Sequence, residues 1–137
     1  MRTIISLTAL TMLTACSGTP PTNLGVKNGE LAPCPDSPNC VSSFSNTAEH
    51  KVLPLTANLE QVRSVVADLS EAKVVQSDTD YLRLEFTSSV FRFVDDVEFL
   101  HLQSDGVTHV RSASRLGHSD LGVNRERVER IRQLLER

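Results

Sequence analysis

Tyr81-Leu82-Arg83-Leu84-Glu85-Phe86-Thr87 alternates apolar and polar residues without a break, and two further β-rich runs, Phe93 to Leu102 and Val107 to Arg115, follow it. Strict alternation is the signature of a strand with one face turned to a core. Asp105-Gly106 between the last two runs is a strong hairpin signal, and Ser89 to Arg92 supplies the loop between the first two. A two-residue loop at Asp105-Gly106 pairs Ser104 with Val107, which sets Asp96 opposite Arg115 and Val97 opposite Ser114. Glu98 then faces Ala113, with Arg111 one diagonal away. A loop over Ser89 to Arg92 pairs Ser88 with Phe93, so that Leu84 meets Val97 and Leu82 meets Phe99. The apolar residues share one face; Arg83, Glu85, Asp96, Glu98 and Arg115 share the other.

Working outward, Val74-Val75 reads as a strand joined to this meander through Ser77 to Asp80. Upstream of it Leu59, Val62, Val65, Val66 and Leu69 recur at helical spacing, with Asn58 and Gln61 placed for a capping box. Pro54 limits Val52-Leu53-Pro54-Leu55 to an edge strand or strand end. A final helix is expected from Val123 to Leu135, with Val128, Ile131, Leu134 and Leu135 inward and the i,i+4 pairs Arg125/Glu129 and Glu126/Arg130 on a solvated face. The order strand, helix, four strands, helix argues an α+β fold: two layers, a mostly antiparallel sheet of four to five strands with two helices on one face. One domain suits 137 residues, 39% of them hydrophobic. A formal charge of -3 and six aromatics without Trp exclude the basic field and stacking platforms of a general nucleic-acid binder.

The first residues set the compartment. Met1 to Ala15 holds one Arg and a short apolar stretch, too short to span a bilayer and typical of a signal peptide. Leu13-Thr14-Ala15-Cys16 resembles the lipobox of bacterial lipoproteins, which implies cleavage before Cys16 and acylation of that cysteine. The expected domains are a signal peptide over 1–15, a flexible Gly- and Pro-rich tether over 16–33 leading from lipidated Cys16, and a single folded domain over 34–137. Ser17 stands where an Asp implies inner-membrane retention in such lipoproteins, so the expected location is the outer membrane, facing the periplasm. In that oxidising compartment Cys34 and Cys40, held close by three prolines, are expected to form a disulfide. So small a ring removes about 2.4 kcal/mol of unfolded-chain entropy and pins a local turn.

Four motifs occur in order: Pro33-Cys34-Pro35-x-x-Pro38-Asn39-Cys40-Val41-Ser42-Ser43; Phe86-Thr87-Ser88; Phe91-Arg92-Phe93-Val94-Asp95-Asp96-Val97-Glu98-Phe99; and Arg111-Ser112-Ala113-Ser114-Arg115-x-Gly117-x-x-Asp120-x-Gly122-x-Asn124-Arg125. Together they resemble the DUF1499 family over about residues 31 to 137. The family is one of unknown function, often found as an envelope lipoprotein or beside membrane segments. The resemblance implies a location and a charged motif set, and no reaction.

Arg83, Arg111 and Arg115 are the candidate anion-binding residues, because guanidinium forks match carboxylate and phosphate. Glu85, Asp96 and Glu98 form the candidate charged row. An exposed ladder of such pairs contributes only 0 to about 1 kcal/mol each; an acid and base pair of Glu85 and Asp96 is the enzymatic alternative. Asp95 falls on the apolar register and needs a partner from the Ser89 to Arg92 loop, Arg92, Asn124 or Arg127. Asp120 and Asn124 are assigned structural polar roles beside it. His118-Ser119-Asp120 carries the letters of a hydrolase triad, but consecutive residues cannot stack in relay order, and G-x-S-x-G is absent. His50, His101 and His109 have no ligand spacing, so neither a metal nor a cofactor is expected and no catalytic residue is identified. The expected function is a lipid-anchored periplasmic binding or scaffolding module. Its partners are the membrane and an anionic envelope component or protein; an envelope hydrolase and a structural accessory of a membrane complex are the alternatives.

Mass spectrometry of the exported protein is expected to show a diacylglyceryl-modified N-terminal Cys16 and no free thiol. Two free thiols would rule out the ring.

Overall fold

The computed structural model describes residues 17–137; the stretch expected to be a signal peptide, and Cys16, lie outside them. Strands β1 (Val26–Lys27) and β2 (Glu30–Leu31) form a small hairpin. β3 (Cys40–Ser42), α1 (Leu59–Ala67), β4 (Ala72–Ser77), β5 (Tyr81–Thr87), β6 (Val94–Leu102), β7 (Val107–Ser114) and α2 (Val123–Leu135) follow. The main sheet is antiparallel in the order β3-β7-β6-β5-β4. Both helices lie on one face, where Val62, Val66, Val128 and Ile131 meet Leu82, Leu84, Phe86, Val97, Phe99 and Val110 in one core. The fold is α+β, as the alternation and helical periods require.

Local signals account for the helix ends. Asn58 accepts from the Gln61 amide at 2.9 Å and its own amide donates to the Gln61 side chain at 2.9 Å, a complete capping box. At α2 the residue in the cap position is Gly122, and the capping work falls to Asp120. Its carboxylate accepts from the Gly122 amide and from both the amide and the side chain of Asn124, each at 2.8 to 2.9 Å. Burial alone would raise the Asp120 pKa; these hydrogen bonds outweigh it and hold the carboxyl below its usual range.

Several sequence expectations shift. The Val52 to Leu55 piece makes only isolated bridges, Lys51 with Ser42 and Leu55 with Thr108. The fifth strand is Cys40–Ser42, which the Cys34–Cys40 disulfide, present with Cα atoms 5.6 Å apart, delivers to the edge of β7. The i,i+4 pairing expected on α2 gives way to longer reaches. Arg125 donates to the carbonyls of Glu49 and Lys51, Arg132 to those of Leu53 and Pro54, and Arg130 to Glu71. A chain segment that lacks a ladder leaves carbonyls in need of donors, and Arg125 and Arg132 supply them, while Arg130 meets the Glu71 carboxylate.

The β5–β6 register is as expected: Leu84 faces Val97, Leu82 faces Phe99, Arg83 faces Glu98 and Glu85 faces Asp96. The β6–β7 register is not. Leu102 pairs with Val107, and the turn spans four residues, with the Leu102 carbonyl accepting from the amides of Asp105 at 3.1 Å and Gly106 at 3.0 Å. Gly106 takes the left-handed conformation at φ +66° that closes it. The pairing moves by two residues, so every side chain keeps its face. Glu98 now stands directly opposite Arg111, and Asp96 opposite Ala113.

The second face of the sheet is covered. The stretch read as a tether folds back over it. Leu31, 3% exposed, packs with Tyr81 and Leu100, and the Gly25 amide donates to Glu98 Oε1 at 2.7 Å. At Gly18 (φ +74°) a methyl group would come within 3.2 Å of both Arg115 Cβ and Leu116 Cγ, so a side chain there would be crowded and its backbone strained. The folded body therefore starts well before residue 34. Gly- and Pro-rich composition suggested a loose coil, but a face of charged residues that must leave water binds it down.

On the helix side, Asp95 has the partner its register demanded: Arg127 Nη2 donates to it at 2.6 Å while the same guanidinium lies 4.7 Å over the Phe86 ring. Arg127 also bonds Ser112 and Asn124, and Asn124, fully buried, bonds Ser112, Ser114, Asp120 and the Asn39 carbonyl. Asp95→Ala is expected to cost about 1 to 3 kcal/mol by leaving Arg127 Nη2 without its counter-charge at the helix–sheet contact. A denaturant midpoint equal to that of the parent would contradict this.

Candidate functional site

β5, β6, β7 and the residue just past β7 bring six ionised side chains to the covered face. Arg83 and Glu85 come from β5, Asp96 and Glu98 from β6, Arg111 from β7 and Arg115 from the turn beyond it. Arg115 sits between two carboxylates: its Nε and Nη2 fork Asp96 at 2.7 and 2.9 Å, and Nη2 also donates to Glu85 at 2.5 Å. The small Ala113 opposite Asp96 leaves the room through which Arg115 reaches back. Arg83 donates to Asp96 at 3.1 Å. Glu98, fully buried, accepts from Tyr81 Oη at 2.8 Å, Gly25 N at 2.7 Å and Arg111 Nη1 at 3.4 Å.

The electrostatics follow from these partners. The hydrogen bond to Asp96, then that to Glu85, overrides burial and holds the Arg115 guanidinium more firmly charged than an ordinary arginine. Burial first, then the adjacent Glu98 carboxylate, pushes the Tyr81 phenol well above its usual value and keeps it a donor. Three cations and three anions make the cluster neutral. Neither Glu85 nor Asp96 is left as a free acid or base, since Arg115 is bonded to both.

The exposed ladder expected for this face is thus not what forms. The side chains of Arg115, Arg111 and Asp96 are at most 4% exposed, and pairs sealed from water respond to truncation far more than surface pairs do. One member of the cluster is incompletely satisfied. Among the described residues Arg111 makes a single long hydrogen bond, and its buried Nε has no partner there. Arg111 also lines a cavity of about 400 Å³ between the N-terminal strap and the sheet, together with Asp96, Arg115, Asn23 and the Cys34 ring. The sequence named all three arginines and all three carboxylates; it missed the Tyr81 and Gly25 bonds to Glu98 and the cavity itself. The one available signal was Leu31-Ala32, apolar residues out of place in a tether.

The histidines stay apart. His50 Nδ1 meets the Cys40 carbonyl at 2.9 Å, His101 Nδ1 meets Thr108 at 3.2 Å, and His109 stacks on Phe44, with burial pulling its pKa down. Ser119 accepts from the Leu121 amide and Asp120 caps α2, so no relay assembles from His118-Ser119-Asp120. Among the described residues no group of three His, Cys, Asp or Glu side chains converges as a metal site.

The family model for a protein of unknown function, DUF1499, matches residues 30–135. The chain belongs to the DUF1499 family. Nothing among curated proteins or solved structures matches it. The matched span of this DUF1499 chain includes every side chain of both polar networks; Gly18 and Gly25, whose amide donates to Glu98, precede it.

Arg115→Ala would leave Asp96 and Glu85 without their common cation. It is expected to destabilise the DUF1499 fold by about 3 to 5 kcal/mol, measured by denaturant unfolding. A loss of less than about 1 kcal/mol would mean the face is hydrated, as surface pairs are.

Proposed function

We propose that the protein is a lipid-anchored binding or scaffolding module of the cell envelope, facing the periplasm, whose cavity beside Arg111 takes a small anionic group. The observation that carries this is the unpartnered Nε of Arg111. A buried donor without a partner costs about 1 to 3 kcal/mol, and an acceptor oxygen of a carboxylate or phosphate entering from the adjoining cavity would relieve it once the Arg111 side chain turns that edge toward the ligand. Arg115 and Arg83 serve a different purpose in this reading. The Arg115 fork is spent on Asp96 and Glu85, Arg83 adds one bond to Asp96, and together they hold the Asp96 wall of the cavity in place. The Leu13-Thr14-Ala15-Cys16 sequence supports the anchor, and Ser17, where an Asp would imply inner-membrane retention, supports an outer-membrane position. A hydrolase using Glu85 and Asp96 gains no support from the geometry, because both are bonded to Arg115.

Arg111→Lys keeps the charge opposite Glu98 and removes the fork. Inorganic phosphate or citrate is expected to raise the thermal midpoint of the parent protein, since a ligand at a hundred times its Kd adds about 2.7 kcal/mol to stability. The Lys variant is expected to lose that response while its unliganded midpoint stays measurable, and to fail in complementing a deletion strain although present at the parental level. An equal response in parent and variant, or none in the parent, would remove the anion site and leave a structural accessory.

A further inference from the structure

Large apolar side chains are left exposed mainly at one end of the molecule. Val90, Phe91, Phe93, Leu116, Leu121 and Val123 are six of the ten such residues among those described, with Phe91 75% and Leu121 91% exposed. They sit on the β5–β6 turn, on the β7–α2 connection and, for Val123, at the first residue of α2. These loops are neighbours: the Arg115 amide donates to the Val94 carbonyl at 3.2 Å, and Ser88, Ser89 and Val123 line one cavity. The β5–β6 turn is also closed and shaped, not frayed. The Ser88 amide donates to the Phe93 carbonyl, Ser88 Oγ accepts from the Phe93 amide, and the Phe91 and Phe93 rings stack at 5.7 Å. Arg92, between the two phenylalanines in sequence, is exposed, with a left-handed backbone at φ +57°.

The chain enters the fold at this same end. Gly18 is packed on Arg115 and Leu116, and two peptide units separate it from Cys16, a reach of about 7 Å at most. An acyl group on Cys16 therefore leaves the folded body no slack with which to float clear of the lipid. From this we infer that the apolar end, formed by the Phe91 turn and the Leu121 connection, lies in the headgroup and upper acyl region of the bilayer that holds the anchor. The inference rests on the lipidation of Cys16 proposed above. The chemistry of the patch fits that occupant: apolar side chains at a loop tip enter the interface, and an arginine among them extends its stem along the lipid and its charge to the anionic headgroups. It also gives the strap a second role, since the segment that seals the charged face fixes the distance between that face and the membrane.

The chain has no Trp, so a single fluorophore can be placed at will. Full-length protein carrying Phe91→Trp or Leu121→Trp is reconstituted in phosphatidylethanolamine and phosphatidylglycerol vesicles with brominated acyl chains. Leu53→Trp is the reference, an exposed apolar site beside the C-terminal half of α2. Mass spectrometry of the same samples reads the acylation of Cys16. Quenching of the Phe91→Trp and Leu121→Trp proteins at least about twofold stronger than that of Leu53→Trp is expected, as for groups buried 5 to 10 Å into the interface. Equal quenching of all three in an acylated protein overturns the orientation and leaves the patch to a protein partner. A Cys16 without acyl groups overturns the anchor, and the orientation with it.

Discussion

The fork of Arg115 on Asp96 is the interaction on which the rest of the structure depends. Asp96 is 1% exposed on the central strand of the meander, where a lone carboxylate would be intolerable. Arg115 neutralises it from beyond the end of β7 and ties in Glu85. That arrangement demands three things of the surrounding sequence: a small residue opposite Asp96, met by Ala113; a cover that excludes water, met by the strap; and glycines where the backbone of the cover takes a positive φ. Gly18 presses on Arg115, and Gly25 brings a backbone amide to Glu98.

The sheet consequently has two unlike faces, each with its own arginine. On the helix side Arg127 bridges Asp95 to the Ser112–Asn124 network and locks α2 to β6 and β7. On the strap side Arg115 locks β5 to β6 and to the turn that leads into α2. Adjacent residues Asp95 and Asp96 serve opposite faces, which is what a strand period of two imposes. The connection 115–123 is shared by both systems, since it starts with Arg115 and ends with the Asp120 cap. A change there reaches the charged layer and the helix together.

Within this frame the cavity beside Arg111 and the apolar end of the molecule are what the folding contacts leave over. Every other charged group of the buried layer has its close partner; Arg111 has one long bond and an idle Nε. The exposed apolar residues are likewise not surplus core, because the core beneath the helices is continuous without them. In the proposed orientation the two features are related by the strap, which runs from the lipid-facing end across the charged layer to the Cys34 ring.

The sequence by itself determined the fold class, the α1 capping box, the extent of α2, the β5–β6 register and the division of the meander into two faces. Those features are local or periodic, and alternation with period two records which side a residue takes. It does not record a shift by two residues, so the β6–β7 register was open until the four-residue turn settled it, and only then did Glu98 meet Arg111. The fate of the charged face was equally beyond reach. Whether a charge row is washed by water or sealed depends on what packs over it, and here the cover comes from residues about 70 positions earlier, with Gly25 73 residues from Glu98. Gly-, Pro- and Asn-rich composition signals that a segment has little of its own to bury. It cannot say that a neighbouring face has six charges to neutralise and needs that segment to exclude water, and this requirement ordered the strap.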